Sequence, residues 1–293
     1  MRIVQLSDTH ISHLGGVPAD NVSVLAGHLN NEIRPDLVIH TGDVVIANPD
    51  SARDRDAARR LLAQIGAPLL VLPGNHDVGE SAVAPWKDLP VTGERIAAFS
   101  SAWGADRFFL VGDATARCGD WVFIGLNSER FGSGLPQERE QWDWLAEAAE
   151  RARGKSVMLF LHKPLWWPGG STSGYTIPAA DRQRLLALFA GARLRVVANG
   201  HVHRYRHAVE DEILTVAAPS ATFAMPADPG RGLEASTPGI VEYVIDGDDV
   251  TAELRQVPGL GMVSDVLAMR EFAAAVAEIE GAAPGRRDEL GEA

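Results

Sequence analysis

A chain of 293 residues with 46% hydrophobic and 23% charged content has the makeup of a soluble globular protein, long enough to bury a real core as one large domain or two ordinary ones. Its net charge of −12 argues against an extended nucleic-acid surface, which would need a basic stripe, yet leaves room for a small phosphorylated ligand beside bound cations. Cys118 is the one cysteine, so no intrachain disulfide can form; with no leader-like segment before the first candidate ligand and no spanning apolar run, a cytoplasmic protein away from membranes is expected.

Short apolar runs rich in β-branched residues predict buried strands over 3–6, 37–40, 69–72, 121–126, 157–161 and 194–198. Helical spacing of apolar residues falls between them, over 20–33, 51–65, 136–153 and 180–190, with Pro136 suited to a first turn and Gly66 and Gly191 to helix ends. This alternation argues for an α/β fold. Further on, 204–209, 212–217, 239–245 and 249–256 read as strands, the last two joined by a hairpin turn at Asp246-Gly247-Asp248. A mostly parallel front half thus meets a more antiparallel back half, which two packed sheets with helices outside would accommodate. Residues 78–92, 163–178 and 218–238 are long irregular stretches of the kind that bind ligands. From Val263 to Glu280 a helix is expected, either covering its own sheet or pairing with a second copy in a homo-oligomer, and the tail after it is expected to be mobile.

Polar blocks follow the strand-like runs: Asp8-Thr9-His10, Gly42-Asp43, Gly74-Asn75-His76-Asp77, His162 and Gly200-His201-Val202-His203. Together they hold three carboxylates, one amide and five imidazoles, too many ligands for one metal ion and the right number for two. Asp8 and His10, like His201 and His203, stand two apart at a strand end, where side chains can converge on one ion. Catalytic groups of α/β proteins commonly sit at the carboxyl ends of strands, and every block has that placement. Two metals side by side are a device for hydrolysing phosphate esters.

The pattern D-x-H, G-D, G-N-H-[DE], H and G-H-x-H, complete and in this order from Asp8 to His203, resembles that of the calcineurin-like metallophosphoesterase superfamily. Ile3-Val4-Gln5-Leu6-Ser7-Asp8-Thr9-His10 and Leu72-Pro73-Gly74-Asn75-His76-Asp77 are similar to the bacterial class III cyclic nucleotide phosphodiesterases and related glycerophosphodiesterases. The resemblance implies a four-layer α/β/β/α sandwich of two mixed sheets flanked by helices, with the metals above the sheet edges. It implies a catalytic domain over residues 1–258 and a C-terminal extension over 259–293. Asp8, His10 and His203 would bind one metal and Asn75, His162 and His201 the other, with Asp43 bridging through one oxygen to each ion. His76 would contact the phosphate or protonate the leaving oxygen, with Asp77 orienting its ring. The donors include no thiolate, which suits Mn, Fe, Zn or Co. The activity implied is hydrolysis of a small phosphodiester, with a phosphomonoesterase, a nucleotide pyrophosphatase or a non-catalytic scaffold as alternatives. The expected partner is a small phosphate ester and not a nucleic acid.

Lys163 departs from the His-His-Pro-Pro of many relatives. It is expected either to add positive charge near the substrate or to point to solvent. His13, Asn127, Trp166 and Trp167 are candidate substrate contacts, the tryptophans because an aromatic face beside a metal site can stack a base or wall an ester group. Phe223 and Met225 have a weaker claim of the same kind, and His40 is expected to be a buried strand residue.

Overall fold

The computed structural model describes residues 1–81, 89–112, 118–166, 175–228, 234–263 and 269–282. Strands β1 (Arg2–Leu6), β2 (Leu37–His40), β3 (Leu69–Val71), β10 (Ile240–Asp246) and β11 (Asp249–Arg255) form one sheet in the order β11-β10-β1-β2-β3. Strands β4 (Phe108–Val111), β5 (Trp121–Gly125), β6 (Ser156–Phe160), β7 (Arg193–Asn199), β8 (Arg206–Glu210) and β9 (Ile213–Ala217) form a second, ordered β4-β5-β6-β7-β9-β8. Both sheets are mixed. In the first, β1 runs parallel to β2 and antiparallel to β10. In the second, β5, β6, β7 and β9 are parallel, and the edge strands β4 and β8 are antiparallel to their neighbours.

Alternation of side chains along the strands sets the layers. Val4, Leu6, Val38 and Val71 point outward and bury against helices α1 (Val17–His28), α2 (Ala52–Leu62) and α4 (Gly93–Trp103), through Leu25, Leu62 and Phe99 among others. Their neighbours Ile3, Leu37, Ile39, Val241 and Tyr243 point inward, onto Trp121, Phe123, Met158 and Phe160 of the second sheet. Val122, Ile124, Val157 and Leu159 then face helices α5 (Pro136–Arg151) and α6 (Ala179–Leu188) through Trp142, Leu145 and Leu185. Three apolar cores between four layers make the expected α/β/β/α sandwich. Each fully buried large side chain contributes about 1.5–3 kcal/mol.

The elements differ from expectation in three places. Helix α4 and edge strand β4 were not anticipated: β4 is a four-residue run with partly exposed side chains and little periodicity to read. Helix α4 starts at a local cap, the Thr92 side chain accepting the Arg95 N–H, rather than at a strong apolar stripe. The C-terminal helix α7 (Arg270–Ala282) begins later than Val263. The segment before it is tied to the body, because Asn21 bonds both the N–H and the carbonyl of Gly261, and Val263 accepts the Ala224 N–H. Among the described residues no helix is long and apolar enough to cross a membrane.

Candidate metal centre

The parallel strands β1 and β2 end side by side, as do β6 and β7, so the loops that follow converge at one rim of the sandwich. Asp8, His10, Asp43, His201 and His203 all have positive φ, five of the eight non-glycine residues in that conformation among the described residues. The chain turns sharply there and holds uncommon backbone geometry where ligands must converge. Gly42 (φ +99°) lies so close to Gly74 that a Cβ would sit 2.5 Å from its nitrogen. A Cβ on Gly200 would sit 1.9 Å from Ser7 Oγ and 2.6 Å from Asp8 Oδ2. The glycines of these motifs are therefore where one loop backbone rests on the next.

Two clusters of possible ligands result. One donor atom from each of Asp8, His10, Asp43 and His203 lies within 4.8 Å of the others, and so do those of Asp43, His162 and His201. Asn75 joins the second cluster, with Oδ1 3.1 Å from His162 Nε2. Asp43 is common to both, but not through one oxygen for each cluster. Oδ1 accepts the His76 backbone N–H at 2.9 Å, whereas Oδ2 faces His10 Nε2 at 3.7 Å and His162 Nε2 at 3.3 Å. The backbone N–H of His201 donates to the Asp8 carboxylate at 3.1 Å and ties the clusters together.

Backbone carbonyls set the ring orientations. The Ile46 carbonyl accepts from Nδ1 of both His10 (3.1 Å) and His76 (2.7 Å), and the Thr41 carbonyl from Nδ1 of His162 (2.8 Å). A carbonyl can only accept, so each Nδ1 carries a hydrogen, and Nε2 is the ring atom left facing Asp43, able to bind a metal once it carries no proton.

Charge is concentrated in this buried space. Burial raises the Asp8 carboxyl, but His203, 3.1 Å away, and His162 bring it down to about 2. Burial also raises Asp43, and His162 and His76 hold it well below the usual carboxylate range. Burial lowers His162, yet Asp43 overrides it and lifts the ring to about 10. His10 falls to about 3 through burial and the neighbouring His76, and burial lowers His76 and His201 as well. The carboxylate field thus favours a cation at the Asp43–His162 contact.

Several site expectations need correction. Asp77 does not orient the His76 ring: its carboxylate accepts the N–H groups of Gly74, Val44 and Val45 at 2.9–3.1 Å. Asp77 occupies the third position of the short helix α3 (Asn75–Val78), from which a side chain reaches back to the helix start. It ties the Asn75 loop to the Asp43 loop, and the Ile46 carbonyl takes over the orienting role.

Asn127 is fully buried, its amide donating to Asp106 and its oxygen accepting the Glu129 N–H, so it braces the end of β5 instead of meeting substrate. His13 is bound to Asp54 at 2.7 Å through both ring and backbone, outside the two clusters. Trp166 is half-buried and lines a cavity of about 400 Å³ with Val202 and Arg204, and Trp167 lies outside the described residues. Lys163 does not point to solvent: it is buried, with Nζ 2.7 Å from both Glu80 and Glu129, which match its charge.

Other supports gave little sequence signal. His40, expected only to be buried, accepts the Gly42 N–H at Nδ1 and meets Thr9 Oγ1 at Nε2, bracing two ligand loops at once. Phe223 packs edgewise on His10 and His203, with centroids 5.3 and 5.0 Å away. The ring of Tyr175 lies 5.8 Å from that of His201 between centroids, at a position that follows the anticipated tryptophans in the chain.

Comparison with known proteins agrees with this geometry. Residues 1–205 match the model of the calcineurin-like phosphoesterase family. The chain is 29% identical over 241 residues to a probable glycerophosphodiester phosphodiesterase GpdQ of Arcobacter nitrofigilis, covering 77% of this chain and 81% of that protein. It is also 29% identical over 186 residues to the serine/threonine-protein phosphatase CPPED1 of Rattus norvegicus, covering 58% of this chain and 54% of that one. Among solved structures, GAP50, the anchor in the inner membrane complex of Plasmodium, superposes with a TM-score of 0.61 at 12% identity over 94% of both chains, a likeness of fold alone. With matched residues that include every donor of both clusters, this chain belongs to the calcineurin-like phosphoesterase family.

Proposed function

We propose that this protein hydrolyses a small phosphodiester, of the cyclic-nucleotide or glycerophosphodiester kind, at a centre for two transition-metal ions. The observation that carries the reading is the pair of donor clusters meeting at Asp43 Oδ2. The residues fit such ions: with Nδ1 bound to a backbone carbonyl, the rings of His10 and His162 present Nε2, which in His162 gives up its proton as the ion binds, the carboxylates supply negative charge, and the nitrogen and oxygen donors suit Mn, Fe, Zn or Co. Asp8, His10, His203 and Asp43 would hold one ion, and Asn75, His162, His201 and Asp43 the other. When bound, two such ions neutralise phosphate charge and lower the pKa of the attacking water.

The chain's own groups supply the rest. His76 stands outside both clusters, with Nε2 3.9 Å from Asp43 Oδ2 and its side chain 11% exposed. In this reading it contacts the phosphate and gives a proton to the leaving oxygen, the phosphate charge offsetting the burial that lowers its proton affinity. Asp77 keeps the loop of His76 and that of Asp43 in register. Every donor lies between Asp8 and His203, which supports residues 1–258 as the catalytic unit and 259–293 as an extension.

Preference for a diester rests on the broader match to the glycerophosphodiester phosphodiesterase, and the match to CPPED1 supports a phosphomonoesterase as the second reading. Hydrolysis of an aryl phosphodiester and the matching monoester by Mn²⁺-loaded protein, with chelated protein as control, separates them. Metal-dependent preference for the diester is expected, and preference for the monoester would overturn the first reading.

A further inference from the structure

We propose that helix α7 is a positioning element for the Asp8–His10–Asp43–His203 half of the centre, acting through Ile46 and Phe223. The inference rests on the two-metal reading and adds an asymmetry to it: the halves are braced by different parts of the chain.

On the His162 side, the ring is held by the Thr41 carbonyl, and the next residue, Lys163, is clamped between Glu80 and Glu129. On the His10 side an apolar layer stands behind the rings. Phe223 is 1% exposed and sets its ring against both His10 and His203. Ile46 supplies the carbonyl that orients His10. Behind these two residues lie Met269 and the α7 residues Phe272 and Ala275, which close one small core with Ile46, Ala47 and Phe223. This core is separate from the three that hold the sandwich together.

Helix α7 is seated closely. Glu271 is buried, and a Cβ on Gly16, at the start of α1, would come 3.1 Å from its carboxyl carbon. Helix α7, the last among the described residues, therefore forms the outer layer behind two rings of one half-site. A ligand ring binds metal best when the groups behind it hold one orientation. Removing the Phe272 ring leaves a cavity behind Phe223 and Ile46 that the surroundings fill only in part. His10 and His203 then gain freedom to turn, while His162 and His201 do not.

The test is calorimetric titration of chelated, full-length protein with Mn²⁺ alone. Wild type is expected to take up two equivalents. In Phe272→Ala, one affinity should fall roughly 10–100-fold and the other hold within about twofold, with Phe272→Leu restoring most of the loss. In a His203→Gln background, which weakens the half that α7 supports, adding Phe272→Ala should change the remaining affinity little. Leu185→Ala, in the core on the far side of the molecule, controls for general loss of stability and should leave both affinities in place. Unchanged affinities in folded Phe272→Ala, or the same one-site loss in Leu185→Ala, would overturn the proposal. Should Phe272→Ala not fold, Met269→Ala must show the one-site loss, and equal affinities there would overturn it too. A wild type that binds a single Mn²⁺ would overturn the two-metal reading itself, a result distinguishable from failure of the brace.

Discussion

Nε2 of His162 lies 3.3 Å from Oδ2 of Asp43, and although burial lowers the ring's proton affinity, that carboxylate lifts its pKa to about 10. A metal ion binding at Nε2 must displace that proton. Below the raised pKa the ring is protonated, so binding releases a proton and apparent affinity grows with pH. Mn²⁺ affinity at the His162 half is expected to rise about tenfold per pH unit across neutral pH and to level off near the ring's pKa. Titrations in buffers of different ionisation enthalpy count the proton released. Affinity that does not change with pH would contradict the assignment of His162.

Gly74 is a second sensitive point. Its φ of −106° suits any residue, so substitution there acts through space alone. A Cβ would sit 2.2 Å from Asp43 Oδ1 and 2.8 Å from His162 Cε1. Gly74→Ala is expected to displace the carboxylate that both halves share and to weaken both Mn²⁺ sites together. Gly27→Ala, where a Cβ meets nothing within 4 Å, serves as the control and should bind normally. Retained two-site binding in Gly74→Ala would show that Asp43 is not held as described.

The buried Lys163 makes a prediction about stability. Lys163→Met strands Glu80 and Glu129 without their cation, and breaking a buried pair in this way costs about 3–5 kcal/mol. Adding Glu80→Gln and Glu129→Gln should recover much of the loss, since the uncompensated charge is then gone. Urea unfolding measures both. A loss under ~1 kcal/mol, the range of exposed ion pairs, would mean that Lys163 reaches solvent after all.

His76 is expected to affect chemistry and not metal content. His76→Gln should keep both Mn²⁺ equivalents and lower kcat by about 10²–10⁴ on a diester with an alkyl leaving group. The loss should be much smaller for an aryl leaving group, which departs without a proton. Equal losses on both substrates would remove His76 from the proton-donor role.

The ligand blocks were legible in the sequence because each follows a strand-like run and three of the five open on a glycine, and the layers followed from alternation and helical spacing. What escaped was set by partners remote in sequence. Lys163 reads as a surface lysine until Glu80 and Glu129, 83 and 34 residues away, are brought against it. Asp77 follows His76, yet the helix start turns its carboxylate to Gly74 and the Asp43 loop. Asn127 stands at a strand end like the true ligands, but Asp106 and the Glu129 N–H use up its amide. Ile46 contributes a carbonyl oxygen, which leaves no mark on residue identity.

The most direct test of the shared-carboxylate centre is Mn²⁺ uptake and diester turnover in Asp43→Asn beside wild type. The amide can still accept the His76 N–H, so the fold should persist, but the charge that serves both clusters is gone. The account predicts two equivalents and metal-dependent turnover in wild type, with defective uptake and a fall in kcat of at least about a thousandfold, ~4 kcal/mol, in a variant that melts cooperatively. Two tightly bound ions and full turnover in folded Asp43→Asn would contradict it.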